Sequence, residues 1–223
     1  MKNILCYGDS NTWGCKPILS PGVIERFDID VRWTGVMRRQ LGEDFLVIEE
    51  GLNARTTVHD DPVDGAHKNG KPYLLPCLET HLPLDLVIIM LGTNDLKSRF
   101  SLSAFDISSG IRPLLEIVAS IAPKNGGVPP QTLVIAPPPL ARLSLLADMF
   151  EGGTEKSGQL ARHYEAVAAL CNSHFLNAGA VITSSDADGI HLDADQHGLL
   201  GLAVAEKVRQ ILSDRPGTDP KTP

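Results

Sequence analysis

Four short segments of the chain carry side chains able to do acyl chemistry. Gly8-Asp9-Ser10-Asn11-Thr12-Trp13-Gly14 follows an apolar run at the N-terminus. A glycine there allows a sharp turn, and Ser10 then falls at the start of a helix or turn, where free N–H groups stabilise an alkoxide or an oxyanion. Leu91-Gly92-Thr93-Asn94-Asp95 ends another apolar run, and the Asn94 amide could donate to an oxyanion. Asp188-Gly189-Ile190-His191 stands before the last helical pattern. An Asp three residues ahead of a His on a tight turn can hold one ring nitrogen and leave the other to take a serine proton. The fourth segment, Glu50 to Thr57, is marked at this point only by its position after a strand.

Each segment alone has a plain structural reading. Asp9 and Ser10 could simply cap a helix, a Gly-x-Asn-Asp turn is a common loop, and a lone Asp-x-x-His is more often a surface feature. Their joint placement is what carries weight.

The elements that must position them are legible. Ile4–Tyr7, Phe45–Glu49, Leu84–Leu91 and Thr132–Ala136 read as strands, with a weaker fifth near His174–Leu176. Leu84–Leu91 is apolar almost throughout, as in a parallel sheet covered on both faces. Helical spacing runs through Ile107, Ile111, Leu114, Val118 and Ile121, and through Leu160, Tyr164, Val167 and Cys171. It returns in Leu200, Val204, Val208 and Ile211, with Asp193 as a cap, and a shorter helix is expected over Val31–Leu41. Such alternation predicts an α/β fold, a three-layer α/β/α sandwich with a parallel sheet of about five strands. An open sheet of this kind puts its site outside the carboxyl ends of the strands, where the four segments lie.

Lys16–Asp30, Val58–His81 and Pro137–Gly153 fit neither period and read as long functional loops. The chain reads as one domain over residues 1–212, with a disordered tail over 213–223. His163, His174 and His197 read as surface or core residues.

Composition narrows the function classes. Hydrophobic residues make up 43% and charged residues 21%, as in ordinary globular proteins, and the net charge is −7. That charge, without any basic run, argues against nucleic acid as a partner. No stretch approaches the roughly 18–20 apolar residues that cross a bilayer, so no membrane role is expected. The start of the chain lacks the pattern of a secretory signal, which implies a cytoplasmic protein. Cys6, Cys15, Cys77 and Cys171 are scattered without C-x-x-C spacing, so free thiols are expected and zinc is not. The sequence has no GxxxxGK[ST] and no GxGxxG after the first strand, and no cofactor is expected.

Taken together, Gly8-Asp9-Ser10, Gly92-Thr93-Asn94-Asp95 and Asp188-Gly189-Ile190-His191 closely resemble three sequence blocks of the SGNH, or GDSL-type, hydrolases, in the family's order. The resemblance implies Ser10 as nucleophile, His191 as general base and then acid, and Asp188 as its orienting partner. It implies an oxyanion hole from the Ser10 N–H, the Asn94 side chain and a backbone N–H of the second block. That position, usually glycine, matches Ala54 here, with Gly51 the other candidate. The segments Arg32-Trp33-Thr34-Gly35, Glu49-Glu50-Gly51-Leu52 and Ala54-Arg55-Thr56-Thr57 are similar to the bacterial arylesterase/acyltransferase branch. This branch implies small ester substrates, water, an alcohol or hydrogen peroxide as acyl acceptor, and a homo-oligomer. A carbohydrate acetylesterase shares the same blocks and is the second enzyme reading; a non-catalytic binding module on the same scaffold is the third. Asp9 and Trp13 are candidates for the substrate pocket, though Trp13 could equally pack in the core. Phe150 and Leu140–Leu146 are expected either to cap the site or, preferably, to meet a neighbouring subunit.

Overall fold

The computed structural model describes residues 1–213. Five parallel strands form one sheet: β1 (Lys2–Gly8), β2 (Phe45–Gly51), β3 (Leu86–Met90), β4 (Gln131–Ala136) and β5 (His174–Asn177), in the order β2-β1-β3-β4-β5. All five coincide with the expected strands to within a few residues. The side-chain alternation of β1 and β3 sorts two cores. Leu5, Tyr7, Val87, Ile89 and Leu91 face one layer of helices, while Ile4, Cys6, Leu86, Ile88 and Met90 face the other.

The helices are α1 (Ser10–Trp13), α2 (Trp33–Leu41), α3 (Gly70–Thr80), α4 (Ala104–Ser109), α5 (Ile111–Ser120), α6 (Gly153–Leu170) and α7 (Ala194–Ser213). Helices α3 to α6 cover the first face, and α2 and α7 cover the second. The chain thus forms the three-layer α/β/α sandwich.

Three expectations need correction. The stripe from Ile107 to Ile121 is two helices, α4 and α5, divided at Gly110. Pro113 cannot donate back to Ser109, and a side chain at position 110 would crowd the Thr57 hydroxyl, so the break keeps its place. Within the expected loop Val58–His81 lies α3, whose Leu74, Cys77 and Leu78 are buried at helical spacing. Pro72 and Pro76 hide that helix from a reading of the sequence, although Pro72 sits in the first turn, where a missing N–H costs little. The Asn69 side chain caps it by accepting from the Lys71 N–H at 2.9 Å. Finally, Ser213 is the last residue of α7, so it belongs to the helix rather than the tail; the rest of the expected tail lies outside the described residues.

The Asp193 carbonyl accepts the His197 N–H at 3.0 Å as α7 begins. The sheet reverses its winding between β1 and β3, since β2 lies on one side of β1 and all later strands on the other. That is where an open α/β sheet leaves a crevice at the strand ends. Ser10 follows β1 there, and Asn94 follows β3.

Candidate active site

Asp9 begins the turn after β1. Its Oδ1 accepts the Asn11 N–H at 3.0 Å, and its carbonyl accepts from Thr12 and Trp13 at 3.1 and 2.9 Å. The cap occupies the neighbouring donors and leaves the Ser10 N–H without an acceptor among the described residues. Burial of Asp9, only partly offset by the Asn11 N–H and by nearby His191 and Arg55, raises its pKa to about 6.

After β3 the chain turns at Gly92, with φ +113°; a side chain there would collide with the Tyr164 hydroxyl, which itself donates to the Leu91 carbonyl at 2.9 Å. The turn delivers Asn94, whose Nδ2 donates to the Arg55 carbonyl at 3.1 Å and, more loosely, to Asp9 Oδ2 at 3.4 Å. Asp95 turns the other way. Its carboxylate accepts the Thr57 N–H and, at 2.6 Å, the Thr57 hydroxyl, tying the third block to the second.

The second block places Ala54 at φ +65°, a left-handed conformation uncommon for a residue with a Cβ. The Ala54 N–H donates to no carbonyl among the described residues. Arg55 secures the turn by donating to the Gly8 carbonyl at 2.8 Å and to that of Glu50. Gly51 serves the packing of the strand end instead, since a Cβ there would strike the backbone of Trp13. Ala54, not Gly51, lines the cavity.

The last block closes the constellation. Gly189, at φ +85°, packs against the backbone of Arg142 and Leu143 and lets the loop turn tightly. The Nδ1 of His191 lies 2.6 Å from Asp188 Oδ2, and its Nε2 lies 3.1 Å from Ser10 Oγ. Because an ionised carboxylate only accepts, Nδ1 carries a proton towards Asp188. Asp188 is fully buried and also accepts from the N–H groups of Ile18 (2.7 Å), Ile190 (2.9 Å) and His191 (2.9 Å). Burial pushes its carboxyl up, but the His191 ring and these amides outweigh that and hold it below the ordinary carboxylate value. For His191, burial opposes the charge, yet Asp188 and the adjacent Cys15 raise its pKa to about 9.

These groups face a cavity of about 220 Å³ whose walls include Ser10, Ala54, Asn94 and His191. That is below the roughly 300–1,000 Å³ of sites for drug-sized ligands. Ile18 and Ile24 from the Lys16–Asp30 loop and Leu146, Met149 and Phe150 from the Pro137–Gly153 loop supply apolar wall. Phe150 is only 2% exposed. The second loop thus lies over the site, the capping role that was one of the two expected for it.

Neither Asp9 nor Trp13 lines this cavity. Asp9 is buried beneath it, and the Trp13 ring carries the Arg26 guanidinium at 4.7 Å. Both depart from the substrate-pocket expectation: the Asp9 carboxylate is taken up by the Asn11 N–H and Asn94, and the Trp13 ring by Arg26. Sequence reasoning missed Ile18, Cys15, Asn53, Asp64 and Lys97, which come to the site from loops or from a turn beyond Asn94. Lys97 alone gave a signal, as a cation two residues past the Gly92–Asp95 block.

Glu50, Cys77 and His81 bring possible metal-ligating atoms within 4.8 Å of one another. Glu50 there accepts from Tyr73 Oη at 3.3 Å and meets His81 Nε2 at 3.1 Å, outside the cavity that holds Ser10. The four cysteines are free thiols. No described helix is long and apolar enough to cross a membrane.

Comparison with known proteins agrees with this geometry. A solved aryl esterase from M. smegmatis is 49% identical, with a TM-score of 0.90 over 95% of this chain and 100% of that one. Est24, a carbohydrate acetylesterase from Sinorhizobium meliloti, is 45% identical, with the same TM-score and coverage. A putative arylesterase from Agrobacterium tumefaciens is 40% identical, with a TM-score of 0.85 over 95% of this chain and 100% of that one. The comparison with curated protein sequences gave no match. The sequence profile of the GDSL-like lipases/acylhydrolases matches residues 6–199, nearly the whole described chain, so this protein belongs to that family.

Proposed function

We propose that the protein is a serine esterase that hydrolyses small carboxylic esters through an acyl-enzyme. The observation that carries this reading is the continuous chain from Ser10 Oγ through His191 to buried Asp188, at 3.1 and 2.6 Å. Neutral His191 accepts the Ser10 proton as Oγ attacks the ester carbonyl, and the new imidazolium is held by Asp188. The carbonyl oxygen, now an oxyanion, is met by the unpaired N–H groups of Ser10 and Ala54 and by the Asn94 amide, whose long 3.4 Å contact to Asp9 is the one it replaces. His191 then returns its proton to the leaving alkoxide. Water, deprotonated by His191 in turn, attacks the acyl-Ser10 carbonyl, and collapse releases the acid and restores the serine.

The small, largely apolar cavity favours short acyl groups and limits water. An alcohol or hydrogen peroxide that enters in place of water would receive the acyl group, so acyl transfer is part of the proposal. So is a homo-oligomer, supported by the exposed Leu19, Val23 and Ile24 beside the cavity loop. Sedimentation as a clean monomer would remove that part alone.

The esterase reading is tested with p-nitrophenyl acetate. Turnover by the purified protein that vanishes in Ser10→Ala, with the fold intact by circular dichroism, is the expected result. Equal turnover in the variant would sink it.

A further inference from the structure

Outside the catalytic cavity, one cluster of side chains has no part in the mechanism. Cys77 and His81 stand four residues apart at the C-terminal end of α3, and Glu50 stands near the carboxyl end of β2. The Cys77 Sγ, a His81 ring nitrogen and a Glu50 carboxylate oxygen lie within 4.8 Å of one another. Positions i and i+4 share one face of a helical turn, the spacing with which a helix offers two ligands to one metal ion. His81 follows the helix directly, and its N–H still donates to the Leu78 carbonyl at 3.2 Å, so the turn is kept. The sheet fixes the third donor independently: Glu50 pairs with Tyr7 of β1, and its carbonyl accepts from Arg55. C-x-x-C spacing does not find this cluster, since the pair is Cys77 with His81 in a helix masked by Pro72 and Pro76.

The donor set is chemically selective. An ion pair would use only Glu50 Oε1 and His81 Nε2, which lie 3.1 Å apart. The thiol adds a soft ligand on the buried side: Cys77 is 1% exposed, whereas the side chains of Glu50 and His81 are 19% and 28% exposed. One thiolate, one imidazole and one carboxylate suit zinc and its neighbours in the transition series, while calcium and magnesium demand shells of oxygen. Zinc–ligand bonds of about 2.0–2.3 Å set tetrahedral ligand atoms roughly 3.3–3.6 Å apart, a small side-chain adjustment from this arrangement. Glu50 Oε2 is already held by the Tyr73 hydroxyl, which donates to it at 3.3 Å, and Oε1 is left facing the histidine. A groove of about 560 Å³ passes Glu50, Tyr73 and Pro76 and opens the cluster to solvent. On binding, the thiol proton leaves to solvent, and thiolate and carboxylate together balance the charge of a divalent ion.

We propose that Glu50, Cys77 and His81 form a binding site for one zinc-class divalent metal ion, with a solvent molecule as fourth ligand, that joins the end of α3 to the end of β2. The site lies apart from Ser10, so the ion takes no part in the ester chemistry, and the inference stands independently of the esterase reading.

The test titrates the purified, metal-free full-length protein, its thiols reduced, with Co²⁺, whose thiolate complexes show a charge-transfer band in the near ultraviolet. The expected result is a band that saturates at one equivalent of Co²⁺ and disappears when Zn²⁺, the tighter binder, displaces it. Cys77→Ser should lose the band. His81→Ala and Glu50→Gln should weaken Co²⁺ binding on the order of 10²-fold or more, because loss even of partners outside the ligand set costs about 10–100-fold. Circular dichroism checks the fold of each variant, and His81→Ala, at a partly exposed position, decides alone if Cys77→Ser does not fold. Absence of the band in the wild-type protein would overturn the proposal. So would a band that keeps its strength and affinity in Cys77→Ser or in His81→Ala.

Discussion

His191 and His197 stand six residues apart at the start of the same C-terminal helix region, and both are buried. Burial alone disfavours the charged ring in each. At His191 the Asp188 carboxylate and Cys15 reverse that effect and raise the pKa to about 9. At His197 nothing reverses it. Burial, with the positive fields of His191 and Arg32 added, lowers its pKa to about 4. Its Nδ1 accepts the Trp33 N–H at 3.2 Å, its ring meets Phe27 edge-on, and its Nε2 finds no partner among the described residues. One imidazole is placed to carry a proton between Ser10 and its partner carboxylate, and the other is a core side chain that fastens α7 to α2. What separates them is the pair of partners, Asp188 and Cys15, that only the first ring has, not depth.

The largest effect should come from making the first ring resemble the second. Asp188→Asn keeps the shape but removes the negative charge and puts an NH2 donor in place of one of two oxygens that both accept, and kcat is expected to fall on the order of 10⁴-fold. A variant that kept most of its turnover would show that Asp188 is not what distinguishes the two rings.

The pH profile sharpens the comparison further. His191 must be neutral to accept a proton, so kcat/KM for p-nitrophenyl acetate should rise with pH to a plateau above about pH 9. In Asp188→Asn the midpoint of the residual rate should move to lower pH. A midpoint that stays in place would assign the titration to another group.

The smallest effect is on stability. His197→Ala should cost about 2–4 kcal/mol by urea unfolding, from the cavity and the unpaired Trp33 N–H, with turnover near wild type. The sign of its pH dependence also follows. His197 titrates lower when folded, so its contribution is complete above about pH 6.5 and is lost as pH falls through about 4. His191 does the opposite, stabilising fully below about pH 6.5 and less as pH rises through about 9. Removing His197 should therefore flatten the acid side of the stability curve and leave the alkaline side unchanged.

Much of this site was legible because its parts are local. Gly8-Asp9-Ser10 encodes both a turn and its cap within three residues, and Gly92 and Gly189 mark turns that side chains could not enter. The strands could be read from runs long enough to be buried on both faces. Less was legible where one pattern overlaid another. The two prolines of α3 masked its apolar spacing, and Gly110 with Pro113 split a continuous stripe into two helices. Trp13 shares its segment with Ser10 but not its side of the turn.

The sequence by itself determined the sheet, the catalytic residue types and their order along the chain, because hydrophobic period and turn chemistry act over a few residues. Only the tertiary structure decided that Ser10 meets His191, that the Ile18 amide reaches Asp188, and that Asp61 and Asp64 gather around Lys97. Such contacts join loops whose lengths carry no register. Their pairing is set by the crossing of the chain at the sheet's reversal point and by the need of every buried charge for a partner.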